Sequence, residues 1–197
     1  MSRTYRQQRR HSPANAELDP ENKLLWNWPR RRLEAESIRD SVLVASDELD
    51  SALGGVSVTP EREEQHLRRT VYLFQQRSSM PAVMKMFDSP IGIASCARRS
   101  VSTVPLQPLF LLNSDFMANR AAALASQVSK IAGVKTHRQI EIAFQRTLSR
   151  KPDRDELLMA ERVLGVQPTE QLPSSNPAGL VQLCHALLNL NEFVYIP

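Results

Sequence analysis

Residues 96–116, CARRSVSTVPLQPLFLLNSDF, decide how this chain is read. A thiol, an arginine pair and a Ser/Thr cluster stand ahead of two prolines and an apolar run. That grouping is either a reactive site or the entry to a helix. The helix reading explains more of the residues. Ser102 or Thr103 is placed to cap a helix whose first turn holds Pro105, a residue lacking the N–H that the first turn leaves unpaired. Pro108 is close enough to the start to be tolerated or to kink the helix. Leu106, Leu109, Phe110 and Leu112 are then expected on the buried face. Ser114 caps a second helix, DFMANRAAALASQVSKIA, which Gly133 stops.

Outward from this stretch the signals are again helical. Upstream, the spacing of Ala35, Ile38, Val42, Ala45 and Leu49 predicts a helix running from Pro29 to the breaker Gly54–Gly55. Residues 53–66 read as a loop, with a short helical turn after Pro60. MPAVMKMFD reads as a short helix with Pro81 in its first turn. Downstream, Thr136 with Gln139 and Asp153 with Glu156 fit capping boxes. Pro152 and Gly165 end the helices around them. Asn176 is placed to cap a last helix, with Leu180, Leu183, Cys184, Leu187 and Leu188 on one stripe. The β-prone run Thr70–Phe74 predicts a strand near residues 69–76, and EFVYIP an extended tail. The expected fold class is mainly α, an irregular helical bundle of five or six helices with a short β element. Residues 1–28, with Trp26 and Trp28, are expected as an N-terminal arm, and residues 29–197 as a helical domain.

Composition agrees. With 6 Gly in 197 residues and abundant Leu, Ala, Glu, Gln and Arg, helix is favoured over strand. No apolar run is long enough to span a membrane. The basic start MSRTYRQQRRH is not followed by the hydrophobic segment of a signal peptide. The excess of 25 Lys+Arg over 21 Asp+Glu is small, and arginine carries it in clusters. Guanidinium forks suit phosphate, sulfate or carboxylate partners, but nearly equal numbers of acids are present to pair with them. YRQQRRH lacks the aromatic interleaving of a nucleic-acid surface, so nucleic acid is disfavoured as a partner.

The candidate site is the segment around SPIGIASCARRSVST. Cys96 is the candidate reactive thiol, its thiolate favoured by arginine neighbours. Arg98, Arg99, Ser102 and Thr103 are candidates for binding an anion at a helix start. The competing account buries Cys96, pairs the arginines with acids such as Asp88, and leaves Ser102 or Thr103 as a cap. Cys96 and Cys184 can pair only if the fold brings them together, and Cys184 reads as a buried thiol in an apolar stripe. The four histidines have no metal-ligand spacing and no catalytic residue is assigned; His185 and Met84, considered as haem ligands, read as packing residues. Glu34 and Glu36, at i and i+2, point apart on a helix and make a poor acid–base dyad.

Several segments together resemble a known family. They are TYRQ, ENKLLWNWPRRRLEAESIRDSVL, RRTVYLFQQR, FDSP, SCARRSVSTVPLQPLFLLNSDF, AFQRTLSRKPDRDEL and LCHALLNLNEFVYIP, in that order. The chain resembles the C-terminal part of the planctomycete-type family catalogued as domain of unknown function 1553 (DUF1553). Its longer members look exported, and carry a second uncharacterised domain, DUF1549, and cytochrome c-like segments upstream. Pro108 departs from the family pattern, where a small helix former is usual. The resemblance implies that this chain is a C-terminal fragment, with haem c belonging to full-length relatives and no cofactor in this chain. It implies as partner the upstream domain, or a separately encoded part of the same protein.

Three readings of function follow: a structural or interaction module with no catalysis alone; part of a haem-linked oxidoreductase or polysaccharide-processing enzyme completed upstream; or a basic anion- or nucleic-acid-binding domain. A cleft lined by Cys96, Arg98 and Arg99 favours the second. A wide exposed apolar patch favours the first.

Overall fold

Residues 31–33 and 194–196 are tied together by main-chain hydrogen bonds. In the computed structural model, which describes residues 12–27, 30–59, 66–76, 80–92, 94–165 and 177–196, strand β1 (Arg31–Arg32) pairs antiparallel with strand β2 (Tyr195–Ile196). Arg31 faces Ile196 and Arg32 faces Tyr195. The Leu33 amide extends the pairing by donating to the Val194 carbonyl at 2.8 Å. The EFVYIP tail is therefore helical over its first residues, in the turn α9 (Asn191–Val194), and extended at Tyr195–Ile196.

The expected helix from Pro29 is accordingly shorter. Helix α2 spans Ala35–Ala45 and ends where Asp47 takes a left-handed conformation, well before Gly54. Four of the five expected stripe residues, Ala35, Ile38, Val42 and Ala45, are buried on it, whereas Leu49 lies past its end and is half-buried. The short β element exists, but not at residues 69–76. Thr70–Tyr72 is a single 3₁₀ turn, with only isolated bridges, Asp50 to Arg68 and Val58 to Leu73, beside it. The cause is tertiary. The Thr70 amide and hydroxyl are both taken by Asp40 Oδ1, at 2.8 and 2.6 Å. The fully buried Arg39 binds the carbonyls of Arg68 and His66, at 2.9 and 2.6 Å. Backbone groups that a strand ladder would use are thus spent on α2, and local β-propensity is overridden.

The remaining helices are α1 (Pro13–Leu18), α3 (Ala82–Met86), α4 (Leu106–Asn113), α5 (Asp115–Ala132), α6 (Thr136–Leu148), α7 (Arg154–Val163) and α8 (Pro177–Leu188). Six of the α-helices among the described residues have eight residues or more; α1, α3 and α9 are short. The architecture is mainly helical, with one small antiparallel sheet. Helix α5 is central and packs chiefly on α8 and α6. Leu124 and Val128 of α5, Ile140 of α6 and Leu180, Cys184 and Leu188 of α8 meet in the core. Each such fully buried aliphatic side chain contributes about 1.5 to 3 kcal/mol.

The caps divide. Ser114 accepts from the Met117 amide, Gly133 closes α5 at φ 61°, and Asp153 with Glu156 forms a complete capping box. Thr136 is instead inside α6; Gln139 is buried and donates its amide to the Gly133 carbonyl. The position of Asn176, the turn after Pro60, the junction at residues 28–29 and Trp28 lie outside the described residues. Trp26 donates its indole N–H to the Asp19 carbonyl at 2.9 Å, within the arm.

Helix α4 differs most from expectation. It begins at Leu106, with Pro105 before it and no side-chain cap. Its buried residues are Gln107 and Leu111. Leu106, Leu109 and Leu112 face outward, and Phe110 is half-buried. The inward side is set by Gln107, whose amide donates to the Met86 and Ser102 carbonyls at 3.2 and 3.3 Å.

Candidate functional site

Ser102 does not cap α4 because Asp88 holds it. Asp88 follows α3 in a left-handed conformation, φ 59°, which Asp tolerates better than most residues. Its carboxylate accepts the Ser102 amide at 2.8 Å and the Ser102 hydroxyl at 2.7 Å. It also accepts Arg32 Nη2 at 2.7 Å. The Arg32 side chain is almost wholly buried, lies over the Phe87 ring, and donates further to the Ser102 and Phe87 carbonyls. Burial raises the Asp88 pKa, but the bonds from Arg32 and Ser102 outweigh it, and the net shift is downward.

Arg99 is pinned from α2. Its Nη1 lies 2.7 Å from Glu36 Oε2 and 3.4 Å from Glu34 Oε2. Glu34 and Glu36 converge because Glu34 sits ahead of α2 in extended conformation, so helical spacing does not apply to the pair. Burial pushes the Glu36 carboxyl up; the bond and charge of Arg99, with Ser89, bring it below the ordinary range. Arg99 is held protonated, first by the Glu36 hydrogen bond and further by the charges of Glu36 and Glu34.

Cys96 is exposed and its Sγ donates to the Arg98 carbonyl at 3.1 Å. Arg98 and Thr103 are exposed, and among the described residues the side chains of both make no hydrogen bond or ion pair. Cys96, Arg98 and Arg99 line one cleft of about 1030 Å³, together with Arg31, Arg32, Glu34 and Asp88. Ser102 and Thr103 are not part of that lining. A neighbouring cleft of about 1000 Å³ shares Glu34 and Arg99 and carries mixed charges, among them Asp40, Arg69, Arg146 and Glu192.

Arg31 and Arg32 are the site residues that the sequence reading missed. The signal was present: an extended tail rich in β-formers needs a partner, and a strand through Arg31–Arg32 turns alternate residues inward. The two thiols do not pair: Cys184 is in the core, and burial pushes its pKa up to about 12. His185 Nε2 lies 3.1 Å from the Leu111 carbonyl and Met84 is fully buried in the core. Among the described residues, no group of three or more His, Cys, Asp or Glu is placed to hold a metal ion. No helix among them is long and apolar enough to cross a membrane.

Residues 1–164 match the family described as protein of unknown function (DUF1553). The chain belongs to this family. The DUF1553 match takes in the whole Asp88–Ser102 network and its partners on β1 and α2, and ends before α8. No curated protein and no solved structure gives a significant match.

Proposed function

We propose that this DUF1553 chain is a helical interaction module, the C-terminal part of a larger exported planctomycete-type protein, and that it carries out no catalysis alone. One observation carries the reading. The outward face of α4 is built from Leu106, Leu109 and Leu112, which are 59%, 48% and 52% exposed, with the exposed Pro105 just ahead of them and Pro108 between them. A row of exposed leucines on the outer side of a helix whose inner side is already packed is a surface suited to an apolar partner. Val101 and Val104, just ahead of it, are exposed as well. No acidic residue lies between Asp88 and Asp115 to keep the surface wetted. Two of the polar side chains that sequence alone marks for chemistry are engaged within the fold, Ser102 on Asp88 and Arg99 on Glu36 and Glu34.

The occupant proposed for the α4 face is the upstream region of the same protein, as in longer relatives with DUF1549 and cytochrome c-like domains. Separately produced upstream region from such a relative, mixed with this chain, is expected to comigrate in gel filtration. Replacing Leu106, Leu109 and Leu112 together by Ser should abolish comigration and leave the thermal transition in place. No association, or association unchanged by the triple substitution, overturns the reading. A second reading, a share in an enzyme site completed upstream, is favoured by the cleft that Cys96, Arg98 and Arg99 line. It predicts that the assembled protein loses activity when Arg98 is replaced by Ala, without loss of assembly.

A further inference from the structure

The cleft between β1 and the loop 96–101 carries an imbalance of charge that the rest of the fold does not use. Four arginines line it, Arg31, Arg32, Arg98 and Arg99, against two carboxylates, Glu34 and Asp88. Two of the four are committed. Arg32 is buried on Asp88, and Arg99 is held by Glu36 from α2. Arg31 is 72% exposed and only loosely paired, 3.3 Å from Glu34. Arg98 is exposed and, among the described residues, unpaired. Even with Glu36 counted, the cleft keeps one excess positive charge, and the least committed forks are those of Arg98 and Arg31. The committed pairs hold its walls: Arg32 ties β1 to the Phe87 and Ser102 carbonyls, and Arg99 ties the loop to α2.

We infer that this cleft binds an oxyanion, the carboxylate, phosphate or sulfate of a ligand, with Arg98 as the principal fork and Arg31 as the second. A planar guanidinium with no internal acid offers paired donors to two oxygens of one group. Arg99, Ser102 and Thr103 are not the binders: the first two already serve carboxylates inside the fold, and Ser102 and Thr103 stand outside the cleft lining. The inference is independent of what docks on α4.

Cys96 lies in the same cleft and serves as a reporter, since the other thiol, Cys184, is buried. The test compares alkylation of Cys96 by anionic iodoacetate and by neutral iodoacetamide in the full chain. Expected is an iodoacetate-to-iodoacetamide rate ratio about fivefold above that of the urea-unfolded chain at equal salt. Inorganic sulfate or phosphate should slow both reagents more than chloride does at matched ionic strength. Arg98→Ala should bring the ratio down to the unfolded value and remove the protection; Arg98→Lys should keep the steering, which needs only charge, and weaken the protection. A native ratio equal to the unfolded one, sulfate and phosphate no better than chloride, or an Arg98→Ala variant that behaves as the parent each overturns the inference.

Discussion

Arg32 Nη2 and Asp88 Oδ2 meet at 2.7 Å and join strand β1 to the turn after α3. The same guanidinium holds the Ser102 carbonyl, so one side chain fixes three segments far apart in sequence. Removing either partner leaves the other charge uncompensated in a largely buried setting. Arg32→Ala is expected to cost about 3 to 5 kcal/mol in urea denaturation, and Arg32→Met with Asp88→Asn to cost less than the single changes summed. A loss under about 1 kcal/mol for Arg32→Ala would show the pair to be dispensable.

Acid should undo the same network. The Asp88, Glu36 and Glu156 carboxyls all have folded pKa values below their ordinary ones. Each therefore binds protons more readily when unfolded. The stability they contribute is fully present above the unfolded carboxyl range, about pH 4 to 5, and is lost as pH falls through the folded values. The melting temperature is expected to be flat near neutrality and to fall steeply below about pH 5. Asp88→Asn and Glu36→Gln should each make that acid limb shallower. An unchanged slope in both variants would place the acid sensitivity elsewhere.

The legible part of this fold is the part governed by local chemistry. Ser114, Gly133 and the Asp153–Glu156 box act within a few residues, and the structure uses all of them as the sequence predicts. The apolar stripes of α2 and α8 are read correctly because their periodicity is set by burial on one side. The misread parts are those where a distant residue outbids a local one. Thr70 is β-prone, yet Asp40 claims its amide and hydroxyl. Ser102 is an N-cap type of residue, yet Asp88 takes it. Leu106, Leu109 and Leu112 of α4 point outward because Gln107 is drawn in by two carbonyls from other segments, a preference that hydropathy alone assigns the wrong way. At the site, Cys96, Arg98 and Arg99 do share a cleft. Ser102 and Thr103 do not join them, and Arg31 and Arg32 enter through the pairing of β1 with β2.

The two thiols should separate cleanly by reactivity. Cys184 is fully buried and its pKa is pushed up to about 12, so it stays protonated at any pH where the protein is handled. A disulfide reagent at pH 8 is expected to modify one thiol rapidly in the native chain and the second only at the rate of unfolding. Cys184→Ser should cost about 1 to 3 kcal/mol by placing a hydroxyl in an apolar stripe. Two fast thiols in the native state would contradict the packing of α8 against α5.

Arg150 bridges α7 and α9. It lies 2.6 Å from Glu156 and 2.7 Å from Glu192, and its pKa is raised first by Glu156 and then by Glu192. The three side chains are partly exposed, so Arg150→Ala should lower global stability by only about 1 kcal/mol. Its larger effect is expected locally. With Glu192 released, α9 and β2 lose their tether, and the Leu33 amide, which donates to the Val194 carbonyl, should exchange with solvent markedly faster. Unchanged exchange at Leu33 would mean that β1–β2 pairing holds the tail unaided.

Helix α4 offers the sharpest contrast between adjacent leucine positions. Leu111 is 5% exposed and contacts the core, whereas Leu109, two residues earlier, is 48% exposed. Leu111→Ala removes buried methyl groups and leaves a cavity, which should cost about 2 to 5 kcal/mol. Leu109→Ala should change the stability of the isolated chain by no more than about 0.5 kcal/mol, because little packing is lost. If the α4 face is a docking surface, the order reverses in the assembly. Leu109→Ala should then weaken association with the upstream region by tenfold or more, about 1.4 kcal/mol, as expected where a leucine becomes buried on binding. A Leu109→Ala variant that destabilises the isolated chain as much as Leu111→Ala would mean that the outward face is already covered within this chain, and the docking argument would fall with it.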